Sequence, residues 1–250
     1  MRRLKYFLPA IALAFTFVIA AIPAAIAFSV QPLLVEMEPG RSGAIRVENT
    51  RTDPLTVEVT LWRRSVDENG VQTRVAADDD FVVLPPQMVI PPGRVQVVRL
   101  QWVGSDTPDR SISYYANLRE VPVELNPSSG AQVQIAFAFD VAVQVAPRSA
   151  RPNLTLHEAA VAHAPDGSAL ARLTIENTGA RYAYLQDAQY DLEVLDRAGA
   201  VIARPSYTED ELTTALGVTL LEPGKRRIAD LPINVPGAAS VRGRVRAGGS

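Results

Sequence analysis

The sequence predicts an all-β chain of two β-sandwich domains joined by a short hinge, and three observations carry that prediction. The stretch from Val133 to Val145 reads V-Q-I-A-F-A-F-D-V-A-V-Q-V, with a large apolar residue at every odd position and Gln, Ala or Asp at the even ones. Such period-two alternation gives a strand one apolar face and gives a helix none. Shorter runs of the same kind recur along the chain, separated by turns rich in Pro, Gly, Asn and Asp, which is the punctuation of a sandwich. Finally, Val47-Glu48-Asn49-Thr50 is answered by Ile175-Glu176-Asn177-Thr178, and Ile90-Pro91-Pro92-Gly93-Arg94 by Leu221-Glu222-Pro223-Gly224-Lys225. Glu48 and Glu176 are 128 residues apart and Gly93 and Gly224 are 131 apart, so one plan is used twice.

The first residues, Met1-Arg2-Arg3-Leu4-Lys5, are basic; an apolar run from Tyr6 to Ile22 follows and leads into Pro23-Ala24-Ala25-Ile26-Ala27. Charge, apolar stretch and small-residue site together predict a secretory signal peptide over residues 1–27, with the mature chain starting near Phe28 and exported. Loss of Arg2, Arg3 and Lys5 takes the formal charge from −2 to −5. A mildly acidic chain offers no general electrostatic grip on nucleic acid. Cysteine is absent, which excludes disulfides, thiol catalysis and Cys-based metal sites, so the cores alone must hold an exported fold.

In chain order, Phe28 to Val35 predicts a first strand, and Pro32 confines it to a sheet edge or to a switch between sheets. Glu38-Pro39-Gly40 turns the chain, Ala44 to Asn49 runs back, and Leu55 to Arg64 alternates Val57, Val59 and Leu61 against Thr56, Glu58 and Thr60. Asn69-Gly70 marks a hairpin. Asp78-Asp79-Asp80 lacks the spaced ligands of a calcium loop and reads as a solvated loop. Strands follow at Phe81–Leu84, Val95–Trp102 and Ser113–Glu120, with Trp62 and Trp102 both expected in the core. Asn126 to Gly130 then turns into the long strand. Residues 28–146 thus form the first domain, Pro147 to Pro152 the hinge and residues 153–250 the second domain. There, Glu209, Asp210 and Glu211 suit the first turn of a short helix within Thr208–Leu216. Arg242 to Arg246 reads as a last strand.

The chain carries no G-x-S-x-G elbow, no H-E-x-x-H and no phosphate-binding glycine loop. Its only histidines, His157 and His163, have no Cys and few acids near them, so no metal site, no cofactor and no enzymatic activity are expected. What remains is binding. A strand as long as Val133–Val145 outruns an ordinary sheet, and its surplus apolar row is available to another protein.

Tyr114-Tyr115-Ala116-Asn117-Leu118-Arg119-Glu120-Val121-Pro122, together with Leu84-Pro85-Pro86, Pro92-Gly93, the alternating Gln134-Ile135-Ala136 strand and Pro147, resembles the periplasmic chaperones of the chaperone-usher pathway of pilus assembly. The likeness is strong in the first domain and thinner in the second. Lack of Cys looks more like the archaic or σ-type branch. The resemblance implies two immunoglobulin-like sandwiches set at an angle and a periplasmic protein without cofactor or metal. It also implies that pilus or fimbrial subunits are bound by donor-strand complementation and delivered to an outer-membrane usher.

Matched to the family pattern, Val133, Ile135 and Phe137 fall on donor positions, with Phe139 an extension. The family's two basic anchors for the subunit carboxylate align near Val35 and Ala142, which cannot bind one. Arg119 is therefore the candidate anchor, set against an internal pair with Glu120 or an inter-domain salt bridge. An uncovered donor row is an aggregation hazard, so the free protein is expected to self-associate through it or to fold a loop across it. The competing function is a secreted structural two-domain sandwich, such as an adhesin or pilus-associated subunit. A sugar-binding or hydrolytic protein fits less well, since few aromatics stand free.

Overall fold

The computed structural model describes residues 28–104, 108–122, 136–233 and 235–248. The expected leader over residues 1–27 and the donor positions Val133 and Ile135 lie outside these. The first domain contains β1 (Ser29–Gln31), β2 (Leu34–Met37), β3 (Ser42–Glu48), β4 (Leu55–Val66), β5 (Gln72–Ala76), β6 (Phe81–Leu84), β7 (Gln87–Ile90), β8 (Val95–Trp102), β9 (Ile112–Glu120) and β10 (Ala138–Val145). One sheet has the order β1-β3-β8-β6, the other β2-β10-β9-β4-β5, with β7 paired along the start of β4. The single first strand expected from the sequence is two. Pro32, without an N–H to give a ladder, stands where the chain leaves β3 and crosses to lie parallel to β10.

Alternation sets the core. Leu55, Val57, Val59 and Leu61 of β4, Tyr114, Ala116 and Leu118 of β9, and Val141, Val143 and Val145 of β10 are all buried, facing Ile45, Val47, Val98 and Leu100 of the opposite sheet. Each large apolar side chain so buried contributes about 1.5–3 kcal/mol. Phe81 packs edge to face with Trp102 and Tyr114 at one end, and those two are tilted against each other, with centroids 5.0–5.7 Å apart. The Tyr114 hydroxyl donates to Asp80 Oδ2 at 2.8 Å. The acidic triplet is thus more than a solvated loop: it forms a 3₁₀ turn, and Asp78 Oδ1 accepts the Leu61 amide. Trp102 is buried as expected, but Trp62 is not a core residue. It is in step with Thr60 on the outer face of its sheet, half-exposed, and its indole N–H donates to Thr60 Oγ1 at 3.1 Å.

The second core is built from β11 (Leu154–His163), β12 (Ala169–Asn177), β13 (Ala183–Tyr184), β14 (Gln189–Leu195), β15 (Val201–Ala203), α1 (Glu209–Leu216), β16 (Leu220–Leu221), β17 (Arg226–Pro232) and β18 (Ser240–Arg246). The sheet β11-β12-β17 faces β15-β14-β18, and β13 pairs with β16. The one α-helix among the described residues starts on a capping box, with the Thr208 hydroxyl accepting the Glu211 amide and the Glu211 carboxylate accepting the Thr208 amide. His157 sits at a register shift between β11 and β12 and pairs with Glu176 at 2.6 Å.

The sequence echo has a structural meaning. Asn49 and Asn177, both fully buried, end β3 and β12. Asn49 Nδ2 donates to Asp53 O at 2.7 Å and Ile90 O at 2.9 Å, and Asn177 Nδ2 donates to Arg181 O at 2.7 Å and Leu221 O at 3.2 Å. The Gly93 and Gly224 amides donate to the carbonyls of Asn49 and Asn177. Both glycines take positive φ, 64° and 72°, which a side chain would disfavour.

Candidate partner-binding edge and inter-domain cleft

The donor positions fall on β10 and the residues before it. Phe137 and Phe139 do not stand free. Both are half-buried against the first core. The Phe139 ring meets Phe28 edge-on with centroids 4.8 Å apart, and the Arg51 guanidinium lies 5.8 Å from the Phe137 ring centroid. The described strand is also shorter than the thirteen-residue alternation, beginning at Ala138. Arg51 and Glu120 fix its start: Nη1–Oε1 is 2.6 Å and Nη2–Oε2 2.7 Å, while the Glu120 amide donates to Phe137 O at 2.9 Å. The bonds to Arg51 hold the Glu120 carboxyl below the usual carboxylate range.

β10 is covered unevenly. On one side it pairs with β9 from Ala138 to Val145. On the other, β2 reaches only Ala142 to Val145. The Ala142 amide donates to Leu33 O. Asp140 and Ala138, in step with Ala142, point their backbone groups the same way, where the described residues provide no paired strand. Among the described residues, half of this strand is therefore an open edge.

The outer face of the same sheet forms the floor of a cleft against the second domain. Arg64, in step with Thr60 and Trp62, is only 5% exposed. Its guanidinium carbon lies 4.4 Å from the Tyr115 ring centroid, its Nη1 donates to the Tyr115 hydroxyl, and its Nε has no partner. No carboxylate pairs with it among the described residues. From β5, Arg74 also lies over Tyr115, 4.6 Å from the centroid, and reaches Asp140 Oδ2 at 2.8 Å. Asp140 Oδ1 in turn accepts Asn117 Nδ2 at 2.8 Å. Beside this group Ser113 donates to Gln144, which donates to the Tyr184 hydroxyl of the second domain. A cavity of about 650 Å³ bordered by Arg64, Ser65, Thr73, Arg110, Ser111 and Glu222 opens at the junction.

Arg119 lies on the same face, further along the sheet. It is exposed and paired with Glu58 at 2.6 Å, not with Glu120. The sequence reading passed over Arg64. Its parity with Thr60 and Trp62 was legible and put it on the outer face, but the covering residues come from a domain more than a hundred positions away. Val35 lies buried beside Val143, and Ala142 stands beside Leu34, so no cation stands at Val35 or Ala142, where the family's usual anchors were sought.

The domains are stitched along this junction. The Glu222 carboxylate accepts the Val66 amide at 2.9 Å and the Ser65 hydroxyl at 3.1 Å. Arg227 Nη1 donates to Asp67 O at 2.9 Å, and the Ile228 amide donates to Glu68 O. Ser111 Oγ accepts the Tyr182 amide at 2.7 Å, Arg181 pairs with Glu36 at 2.9 Å, and Val66, Tyr182 and Leu220 form a small core of their own.

The same architecture is found in solved structures. The class 5 fimbriae chaperone CfaA superposes with a TM-score of 0.55 at 13% identity, covering 89% of this chain and 93% of that one. The CsuC–CsuE chaperone–tip adhesin pre-assembly complex from the archaic chaperone-usher Csu pili of Acinetobacter baumannii gives 0.52 at 14%, covering 86% and 91%. The SafB chaperone complex with SafA pilin from Salmonella enterica gives 0.52 at 14%, covering 88% and 95%. No curated protein sequence matches the chain significantly. Residues 27–151 match the family described as pili and flagellar-assembly chaperone, PapD N-terminal domain. Its members assemble pili without catalysing a reaction, and this chain belongs to that family.

Proposed function

We propose that the protein is a periplasmic chaperone that captures pilus subunits by lending them a strand and passes them to an outer-membrane usher. The observation that carries this reading is the half-open edge of β10. From Ala138 to Val141 its backbone can pair with an incoming strand, as β-strand addition requires, and Val133, Ile135, Phe137 and Phe139 are taken as the donor row from the sequence pattern. Phe139 anchors the row to the protein's own core, leaving the residues before it as the lent portion.

Two arginines compete to anchor the subunit's terminal carboxylate. Arg119 is already held by Glu58 in the open. Arg64 is buried with an unpartnered Nε and, among the described residues, no acid, and a buried guanidinium without an anion is the stronger attractant. The reading therefore takes Arg64 as the anchor and Arg119 as its alternative. Co-expression with candidate subunits encoded beside the gene, followed by co-purification, tests it. Ile135→Glu and Arg64→Gln should each abolish capture with native circular dichroism, and Arg119→Gln should retain it. Capture by the Ile135→Glu protein would exclude strand donation; loss in Arg119→Gln with capture kept in Arg64→Gln would move the anchor to Arg119.

A further inference from the structure

We propose that Asp140 is a built-in competitor for the carboxylate site, occupying Arg74 until a ligand carboxylate takes its place. This rests on the reading of Arg64 as the anchor and adds Arg74 to it. Both guanidinium groups lie against one ring, 4.4 Å and 4.6 Å from the centroid of Tyr115. Two cations gathered against one aromatic ring attract anions, and Asp140 supplies one, to Arg74. Other charges on this face are already matched, Glu36 with Arg181 and Glu58 with Arg119. Among the described residues Arg64 has no carboxylate partner, and the Glu222 carboxylate bordering the same cavity is taken up by the Val66 amide and the Ser65 hydroxyl.

The Arg74–Asp140 pair is suited to exchange. Its side chains are 40% and 30% exposed, and pairs open to solvent are weak. If Asp140 lets go, it keeps its bond to Asn117 Nδ2, so the strand need not distort. Asp140 also lies in the part of β10 whose backbone faces the open edge. Release of its side chain thus coincides with engagement of the strand beside it, and the ligand that fits is an extended polypeptide carrying a carboxylate.

The test uses the full mature chain and N-acetylglycine as a minimal terminal carboxylate, with N-acetylglycinamide as the uncharged control. The ¹⁵N–¹H signals of the Arg64 and Arg74 side chains are followed by NMR during each titration. Asp140→Asn, which retains an acceptor for Asn117, should lower the half-saturating concentration of N-acetylglycine about tenfold, equivalent to about 1.4 kcal/mol. Adding Arg74→Gln should remove the gain, and the amide should shift neither signal. Asp140→Ser replaces the asparagine variant if circular dichroism shows that one disturbed. Equal half-saturation in wild type and Asp140→Asn, or an equal response to the amide, overturns the competitor. No shift of the Arg64 signal in any protein overturns the anchor reading beneath it, so the two failures are separable.

Discussion

Asn49 and Asn177 occupy the same place in their respective domains, each fully buried and each holding two carbonyls of neighbouring loops through one side-chain amide. Replacing either by Ala removes two buried bonds and strands their acceptors, which costs about 2–4 kcal/mol. Urea unfolding of Asn49→Ala and Asn177→Ala should show midpoints well below wild type. An unchanged midpoint in either would mean that water replaces the amide without loss.

Glu120 gives the protein an acid-sensitive joint. Its carboxyl titrates below the usual range because Arg51 binds it, so its contribution is complete above the ordinary carboxylate value of about 4.3 and is lost as pH falls through the lower folded value. Wild type should exceed Glu120→Gln by about 1–3 kcal/mol at pH 7, and the gap should close below about pH 4. A gap of constant size from pH 7 to pH 3 would sink this assignment.

Tyr114 and Asp80 act as one unit. Burial and the bond to Asp80 both raise the phenol's pKa, so the hydroxyl remains a donor at any ordinary pH. Tyr114→Phe and Asp80→Ala should each cost about 1 kcal/mol, and the double variant should cost less than their sum. Strict additivity in a thermal or urea measurement would show that the bond contributes nothing.

Phe139 belongs partly to its own domain. Half-buried against Phe28, it should cost about 1–3 kcal/mol on truncation to Ala, below the about 3–5 of a fully enclosed phenylalanine. Phe137→Ala should cost less, since no aromatic ring stacks on it among the described residues and the Arg51 guanidinium lies 5.8 Å from its centroid. If both variants match wild type in stability, the row is entirely given over to a partner.

Much of the fold was legible because alternation fixes which face of a strand is wet. Leu55–Leu61, Val95–Trp102 and the inward residues of β10 follow that rule, and the repeated Glu-Asn before a turn marked the paired asparagines. The capping residues of the helix were visible for the same local reason. Local rules also misplace residues. Trp62 looks apolar enough for a core, yet parity with Thr60 puts it outside. Arg64 looks like an ordinary surface cation until the second domain covers it, and the Arg74–Asp140 pair joins positions that no sequence spacing brings together. Such relationships are set by the order of strands in a sheet and by how two domains meet, which neither periodicity nor turn chemistry encodes.

The stitches between the domains bear on what size of partner can enter. Glu222 grips the end of β4, Arg227 and Ile228 hold the turn at Asp67 and Glu68, and Tyr182 and Arg181 fasten to Ser111 and Glu36. Contacts spread over several separate points brace the two domains against each other, so widening the gap between them would break several bonds at once.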